Sequence, residues 1–213
     1  MFLYAIKNIL RGRSFLRLSM NHALGAYSLK GKVLDIGSGK HPEYHGIFKS
    51  VETEEIFTLD QKFTDNRALD LEKDALPYDS ASMDQVLFLN VLEHIYNYKF
   101  VLGEARRVLK DGGELIGFVP FLINVHPDPH DYFRYTKESL EKIFTEVGFS
   151  HIEIKTVARG PFAVNFNNIV LSFPRFISVL IFPFSYILDS VFLRLRPRVG
   201  EKFPLGYIFA LKK

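Results

Sequence analysis

The sequence predicts a doubly wound α/β domain with a mostly parallel sheet, its ligands bound at the carboxyl ends of the strands. Three observations carry that prediction. Val33-Leu34-Asp35-Ile36 is a short apolar run that stops on Gly37-Ser38-Gly39, a turn in which two residues without a Cβ let the backbone come close to a ligand. From Lys32 to Val119 strand-like and helix-like segments alternate, the pattern of βαβ layers. The chain has 213 residues, 47% of them hydrophobic, enough to bury one sizeable core, so residues 1–213 are read as one domain.

Taken in order, residues 1–30 hold Phe2, Leu3, Ile6, Ile9 and Leu10 among Lys7, Arg11, Arg13 and Arg17, a basic amphipathic helix without the long apolar stretch of a secretion signal. The first strand follows and ends at the glycine turn. Glu54 to Leu59 reads as a second strand ending in Asp60, 21 residues after Gly39, where a carboxylate can accept hydrogen bonds from both ribose hydroxyls. Val86 to Leu89 is a continuous apolar run, as in a strand covered on both faces. Val101, Leu102, Ala105, Val108 and Leu109 recur at helical spacing, and Lys110 before Gly112-Gly113 reads as the end of that helix. Glu114 to Val119 is the next strand. Thr136 is placed to cap a helix carrying Leu140, Ile143, Phe144 and Val147 and stopped by Gly148. Asp35, Asp60, Asp70 and Asn90 are all expected at strand ends.

Pro42 stands where a dinucleotide-binding turn would have its third glycine, which disfavours an NAD(P)-dependent oxidoreductase. The order acid, any residue, Gly, any residue, Gly at Asp35, Gly37 and Gly39 resembles instead the first motif of class I S-adenosylmethionine-dependent methyltransferases. The segments around Asp70-Leu71, Asn90 and Leu102–Val119 resemble the rest of that family's frame, and the loop from His130 to Thr136 resembles its type 11 subgroup. The resemblance spans about residues 31–149. It implies a Rossmann-like sheet of seven strands with the last antiparallel, so that His151–Arg159 and Tyr207–Lys212 would be strands six and seven and residues 160–204 an apolar helical insertion between them. It also implies S-adenosylmethionine as cofactor, held by Asp35, Gly37, Gly39, Asp60, Asp70, Leu71 and Asn90. Many members carry a third glycine where this chain has Lys40.

Methyl transfer to a hydroxyl needs alignment and a route for a proton. The segment His126-Pro127-Asp128-Pro129-His130-Asp131-Tyr132-Phe133-Arg134-Tyr135 can supply both. His130 (or His126) is the candidate base. Arg134 is a candidate clamp for an acceptor phosphate or carboxylate, and Tyr132 or Tyr135 can face the sulfonium. The bland reading is that His130, Asp131 and Arg134 pin the loop. No metal is expected: His126, Asp128 and His130 have no further ligand cluster near them in sequence, and a chain without cysteine has no thiolate site. His94 reads as a packing residue.

Net charge is +3 and uninformative, but it is unevenly spread. Residues 1–30 carry five Lys or Arg and no acid, residues 159–213 carry eight against two acids, and the middle is acidic. The last segment also holds nine of the 21 Phe. Phe176 to Leu188 is uncharged but interrupted by Pro183, and is expected to be too short to cross a bilayer, for which about 20 apolar residues are needed. Beside Arg194, Arg196, Arg198 and Lys202 it suits an anionic membrane surface; burial against the domain or a second copy is the competing reading. Nucleic acid is not expected, because the basic ends have aliphatic and Phe-rich neighbours and no recognition module. The reading that results is a cytoplasmic methyltransferase, peripheral on the inner face of the membrane, and the resemblance to the type 11 subgroup, several members of which are associated with cell-surface glycan or lipid-linked substrates, implies a hydroxyl of a glycan or lipid-linked acceptor. A non-catalytic, membrane-associated binding module that kept the fold is the alternative from another class.

Overall fold

Six strands lie side by side in the order β2-β1-β3-β4-β6-β5 in the computed structural model, which describes residues 2–39, 44–59, 69–157 and 160–213. They are β1 (Ser28–Ile36), β2 (Ser50–Leu59), β3 (Met83–Leu89), β4 (Leu109–Pro120), β5 (His151–Val157) and β6 (Gly206–Lys212). The first four run parallel, and β6 pairs antiparallel with both β4 and β5. Six strands rather than seven are present among the described residues. Asp60 and the rest of 60–68 lie outside them, as do Lys40 and Pro42.

The sheet is covered on both faces, which is why Val86–Leu89 of β3 reads as an unbroken apolar run and residues 115–120 of β4 are all buried. One face buries Leu34, Val86 and Phe88 against α3 (Tyr98–Val108) and α4 (Lys137–Val147). The other buries Leu29, Val33 and Leu87 against α2 (Phe15–Leu24), which follows α1 (Phe2–Leu10). As expected, Thr136 caps α4 by accepting from the Ser139 N–H, and Gly148 closes it in the left-handed conformation.

Two expectations are corrected. The helix of residues 98–108 does not run to Gly113: it stops at Val108, and Leu109, fully buried, already begins β4. Lys110 pairs with Asp84 of β3 at 2.7 Å, a tertiary partner that competes with the helix terminus. Nor does Pro183 interrupt the apolar stretch. After α5 (Pro161–Ile169), α6 runs from Arg175 to Leu195 with Pro183 inside it, and Phe176–Leu195 is long and apolar enough to cross a membrane by length and composition. A proline withdraws one N–H from the helix; here packing offsets it. Phe182 stacks within 5.5 and 5.6 Å of Phe15 and Phe166, and Asp189 accepts from the Phe162 and Ala163 N–H groups at 3.0 and 2.8 Å, capping α5.

That packing makes α6 an inside-out helix. Its inward row is Ser178, Phe182, Ser185 and Asp189, all buried, while Phe176, Leu180, Phe184, Ile187, Val191 and Leu195 face outward, Phe184 at 69% exposure. The N-terminal helices brace the insertion from the other side: Ile9, Phe15 and Leu18 share a core with Phe166 and Phe182, and Asn167 accepts from the Leu16 N–H.

Candidate functional site

The glycine turn sits where the sequence places it. Gly37 has φ +75° and Gly39 φ +68°, and a Cβ on Gly37 would lie 2.6 Å from Cγ2 of Val91. The Gly37 N–H donates to the Leu59 carbonyl at 2.7 Å, joining the ends of β1 and β2. Asp35, at the end of β1, is completely buried. Its Oδ2 accepts from the Tyr44 hydroxyl at 2.6 Å and lies 2.6 Å from His45 Nε2, while Oδ1 has no partner. Burial pushes this carboxyl up, against the bonds from His45 and Tyr44. Asn90, just past β3, adopts φ +57°; its Nδ2 contacts the Met20 sulfur at 3.3 Å and its buried Oδ1 is likewise unpartnered.

Two orphaned acceptor oxygens at the ends of adjacent strands, beside a turn that a Cβ would obstruct, fit the amino-acid end of S-adenosylmethionine, whose ammonium needs acceptors. Leu71 is buried in the main core. Asp70 stands in a turn, accepting from the Glu72 N–H at 3.0 Å and pairing with Lys73 at 2.8 Å, and Lys73 holds its carboxyl below the usual range.

A loop after β4, residues 121–135, closes over this edge. The N–H of Tyr132 donates to the Glu93 carbonyl, and the Tyr135 hydroxyl to that of Leu92. Arg134 forms a two-toothed pair with Asp131, at 2.5 and 2.6 Å, and also reaches the Asn124 carbonyl. Arg134 holds the Asp131 carboxyl down at about 2. The guanidinium is thus committed within the loop. His130 is exposed; its carbonyl accepts from His94 Nδ1 at 2.5 Å, and its ring lies 5.2 Å from that of Tyr132. Tyr132 in turn packs against Tyr96 at 5.4 Å.

Two histidines, His126 and His94, face the buried Glu93 carboxyl. His126 Nε2 lies 3.8 Å from Oε1 of Glu93, and His94 Nε2 lies 3.7 Å from the same oxygen. Glu93 is fully buried, and neither of its oxygens has a hydrogen-bond partner. The Glu93 carboxylate holds the His126 imidazole above its usual range, against the effect of burial. Glu93 is the residue the sequence reading missed. An acid inside Val91-Leu92-Glu93-His94-Ile95, directly after a buried strand, was the available signal.

His126 also borders a cavity of about 450 Å³ between the domain and the insertion. Ile9 and Leu16 from the N-terminal helices, Ile123 from the loop, and Val170 and Phe173 from the insertion give it apolar walls, with Arg13, Asn124 and His126 among its polar groups.

Residues 43–117 match the family described as a methyltransferase domain. Over 108 residues, 49% of its length, the chain is 32% identical to an uncharacterized protein of Methanocaldococcus jannaschii, and it spans 41% of that protein. Three solved structures share the fold. A complex between the Haloferax volcanii Trm112 methyltransferase activator and a methyltransferase aligns with TM-score 0.58 at 16% identity, over 98% of this chain and 93% of that one. A methyltransferase of Thermotoga maritima that depends on S-adenosylmethionine aligns with TM-score 0.58 at 16% identity, over 96% and 91%. Haemonchus contortus phosphoethanolamine N-methyltransferase 2, solved with S-adenosylmethionine, aligns with TM-score 0.52 at 14% identity, over 92% of this chain and 52% of that one. At these identities the likeness is one of fold.

Proposed function

From the match of residues 43–117 to a methyltransferase domain and the shared fold, we propose that the chain is a class I methyltransferase of the type 11 kind with S-adenosylmethionine as its cofactor, and that methyl transfer is directed to a hydroxyl of a lipid-linked acceptor, glycan-bearing at its polar end. The observation that carries this reading is the cavity: its walls are apolar, it opens between the domain and a helix whose outer face is also apolar, and its polar groups include His126. A soluble polar acceptor would have little to bind on Ile9, Ile123, Val170 and Phe173.

When bound, S-adenosylmethionine supplies an electrophilic methyl group on a sulfonium. The turn at Gly37–Gly39 and the unpartnered oxygens of Asp35 and Asn90 would hold the amino-acid end. The loop 121–135, stiffened by the Asp131–Arg134 pair and tied to the Leu92 and Glu93 carbonyls, sets His126 beside Glu93. His126 meets the acceptor hydroxyl on its cavity side, and the buried Glu93 carboxylate stabilises the positive charge that must appear there as the proton leaves. In this assignment the loop's exposed His130 contributes its carbonyl, which fixes His94, while its ring stays outside the cluster. The outer face of α6 and the nearby Arg194, Arg196 and Arg198 set the domain against an anionic lipid surface, peripheral on the cytoplasmic side.

The test supplies radiolabelled S-adenosylmethionine with a detergent-dispersed lipid extract or with the aqueous metabolites of the same cells. Label partitioning into the organic phase is expected. Label found only in the aqueous fraction, with the cofactor bound normally, would overturn the lipid-linked acceptor.

A further inference from the structure

Glu93, His94 and His126 present one ligand atom each, all within 4.8 Å of one another, and we propose that they form a binding site for a divalent transition-metal ion of the zinc type. The first reason is Glu93 itself. A carboxylate with no exposed surface and both oxygens without hydrogen bonds is expensive to bury unless a positive charge accompanies it.

The second reason is spacing. The two imidazole nitrogens approach Oε1 to 3.7 and 3.8 Å, too far for a charge-assisted hydrogen bond of about 2.8 Å. Two ligands on one tetrahedral ion with bonds near 2.1 Å stand about 3.4 Å apart, so small side-chain movements bring these three atoms onto a common ion.

The third reason is orientation. The acceptor facing His94 Nδ1 is the His130 carbonyl, so a hydrogen sits on Nδ1, and in the neutral imidazole that metal binding requires the Nε2 lone pair faces Glu93. A lone pair against a carboxylate is repulsive; a cation between them removes the repulsion. Donation of the outer ring nitrogen to a backbone carbonyl is also how metal-bound histidines are held. His126 Nδ1 has the Asn124 carbonyl at 3.2 Å for the same purpose, with Arg134 Nη2 at 3.2 Å competing for that nitrogen.

Two imidazoles and one carboxylate select a borderline ion such as Zn²⁺ over Mg²⁺, which prefers oxygen throughout. Three protein ligands leave a fourth position open, as in catalytic rather than structural sites. Because His126 borders the cavity, that position would take an acceptor oxygen and lower the pKa of its hydroxyl, replacing His126 as the proton's destination, since both of its ring nitrogens are engaged once the ion is bound. This last role rests on the methyl-transfer reading; the site itself does not.

The untagged full-length chain, freed of metal by a chelator, is titrated with ZnCl₂ in competition with a chromogenic chelator, and separately with MgCl₂. One equivalent of zinc is expected to bind, with X-ray absorption showing two imidazole nitrogens and at least one oxygen. Loss of an outer partner of a metal ligand typically weakens binding about 10- to 100-fold, so Glu93→Gln, losing a ligand, is expected to weaken it about 100-fold or more. His126→Ala, in a half-exposed loop position, does the same if Glu93→Gln fails to fold. Zinc bound equally by the parent and by either folded variant would place the ion on other histidines and overturn the site, as would no binding at micromolar zinc. Calorimetry with S-adenosylhomocysteine on the same samples keeps failure of the metal site distinct from failure of the cofactor site.

Discussion

Substituting Gly37 by alanine tests whether the turn after β1 is shaped for a ligand. Two costs follow from its geometry. At φ +75° an L-residue occupies the left-handed region, which costs about 1–2 kcal/mol. The new Cβ would stand 2.6 Å from Val91 Cγ2; overpacking of this kind costs about 1–3 kcal/mol. Together they amount to about 2–5 kcal/mol. The easiest relief is to swing the turn outward, which breaks the 2.7 Å bond from the Gly37 N–H to Leu59 and moves the backbone into the space the cofactor needs. Urea unfolding of Gly37→Ala, Val91→Ala and the double variant separates the two costs. Removing Cγ2 is expected to return the overpacking part, a coupling of about 1–3 kcal/mol, and to leave the backbone part. Calorimetric titration with S-adenosylmethionine is expected to show at least a tenfold loss, about 1.4 kcal/mol, in Gly37→Ala. Binding within threefold of the parent together with zero coupling would refute the reasoning.

Asp131 should give the loop a dependence on acid. Its carboxyl is held at about 2 instead of 3.8 with the side chain 2% exposed, so the Arg134 pair contributes up to about 2.5 kcal/mol above pH 4 that is lost as the pH falls toward 2; thermal unfolding of the parent and of Asp131→Asn should converge over that window, and parallel curves would exclude the effect. Flotation with vesicles should separate the two parts of the α6 surface: anionic vesicles should carry the parent, 1 M salt should weaken the arginine part as the Debye length falls to about 3 Å, and Phe176→Ser/Phe184→Ser should abolish binding to neutral vesicles. A chain that stays in the soluble fraction throughout would leave α6 facing a second copy, and one resisting alkaline carbonate would make it spanning.

Local chemistry was legible in the sequence wherever it decided the structure. The β1 run and its glycine turn and the Thr136 and Gly148 caps of α4 follow from side chains and their near neighbours, whereas the strands at 151–157 and 206–212 were expected only through the family resemblance. What was not legible depended on partners far along the chain. Lys110 looked like a helix-terminal cation and instead meets Asp84. Pro183 looked like a break until Phe182 and Asp189 found α2 and α5. Glu93 and His94 are separated by more than thirty residues from His126, so no spacing motif announced them, and His126 had been grouped with Asp128 and His130, its neighbours in sequence. Asp60, expected at the ribose, lies outside the described residues.

The placement of β6 between β4 and β5 sets an order of events during synthesis. The parallel layer of β1 to β4 and its covering helices is complete once residue 120 and α4 have emerged, so the half that carries the glycine turn can form early. β5 has no strand neighbour at that stage. It must wait for α5 and α6 to be made before residues 206–212 arrive to bridge it to β4. By the end of that interval the apolar outer row of α6 has been made while the sheet edge at β4 is still open. The chain is then at its most adhesive, and a lipid surface at hand as α6 emerges would cover that row before another unfinished chain could.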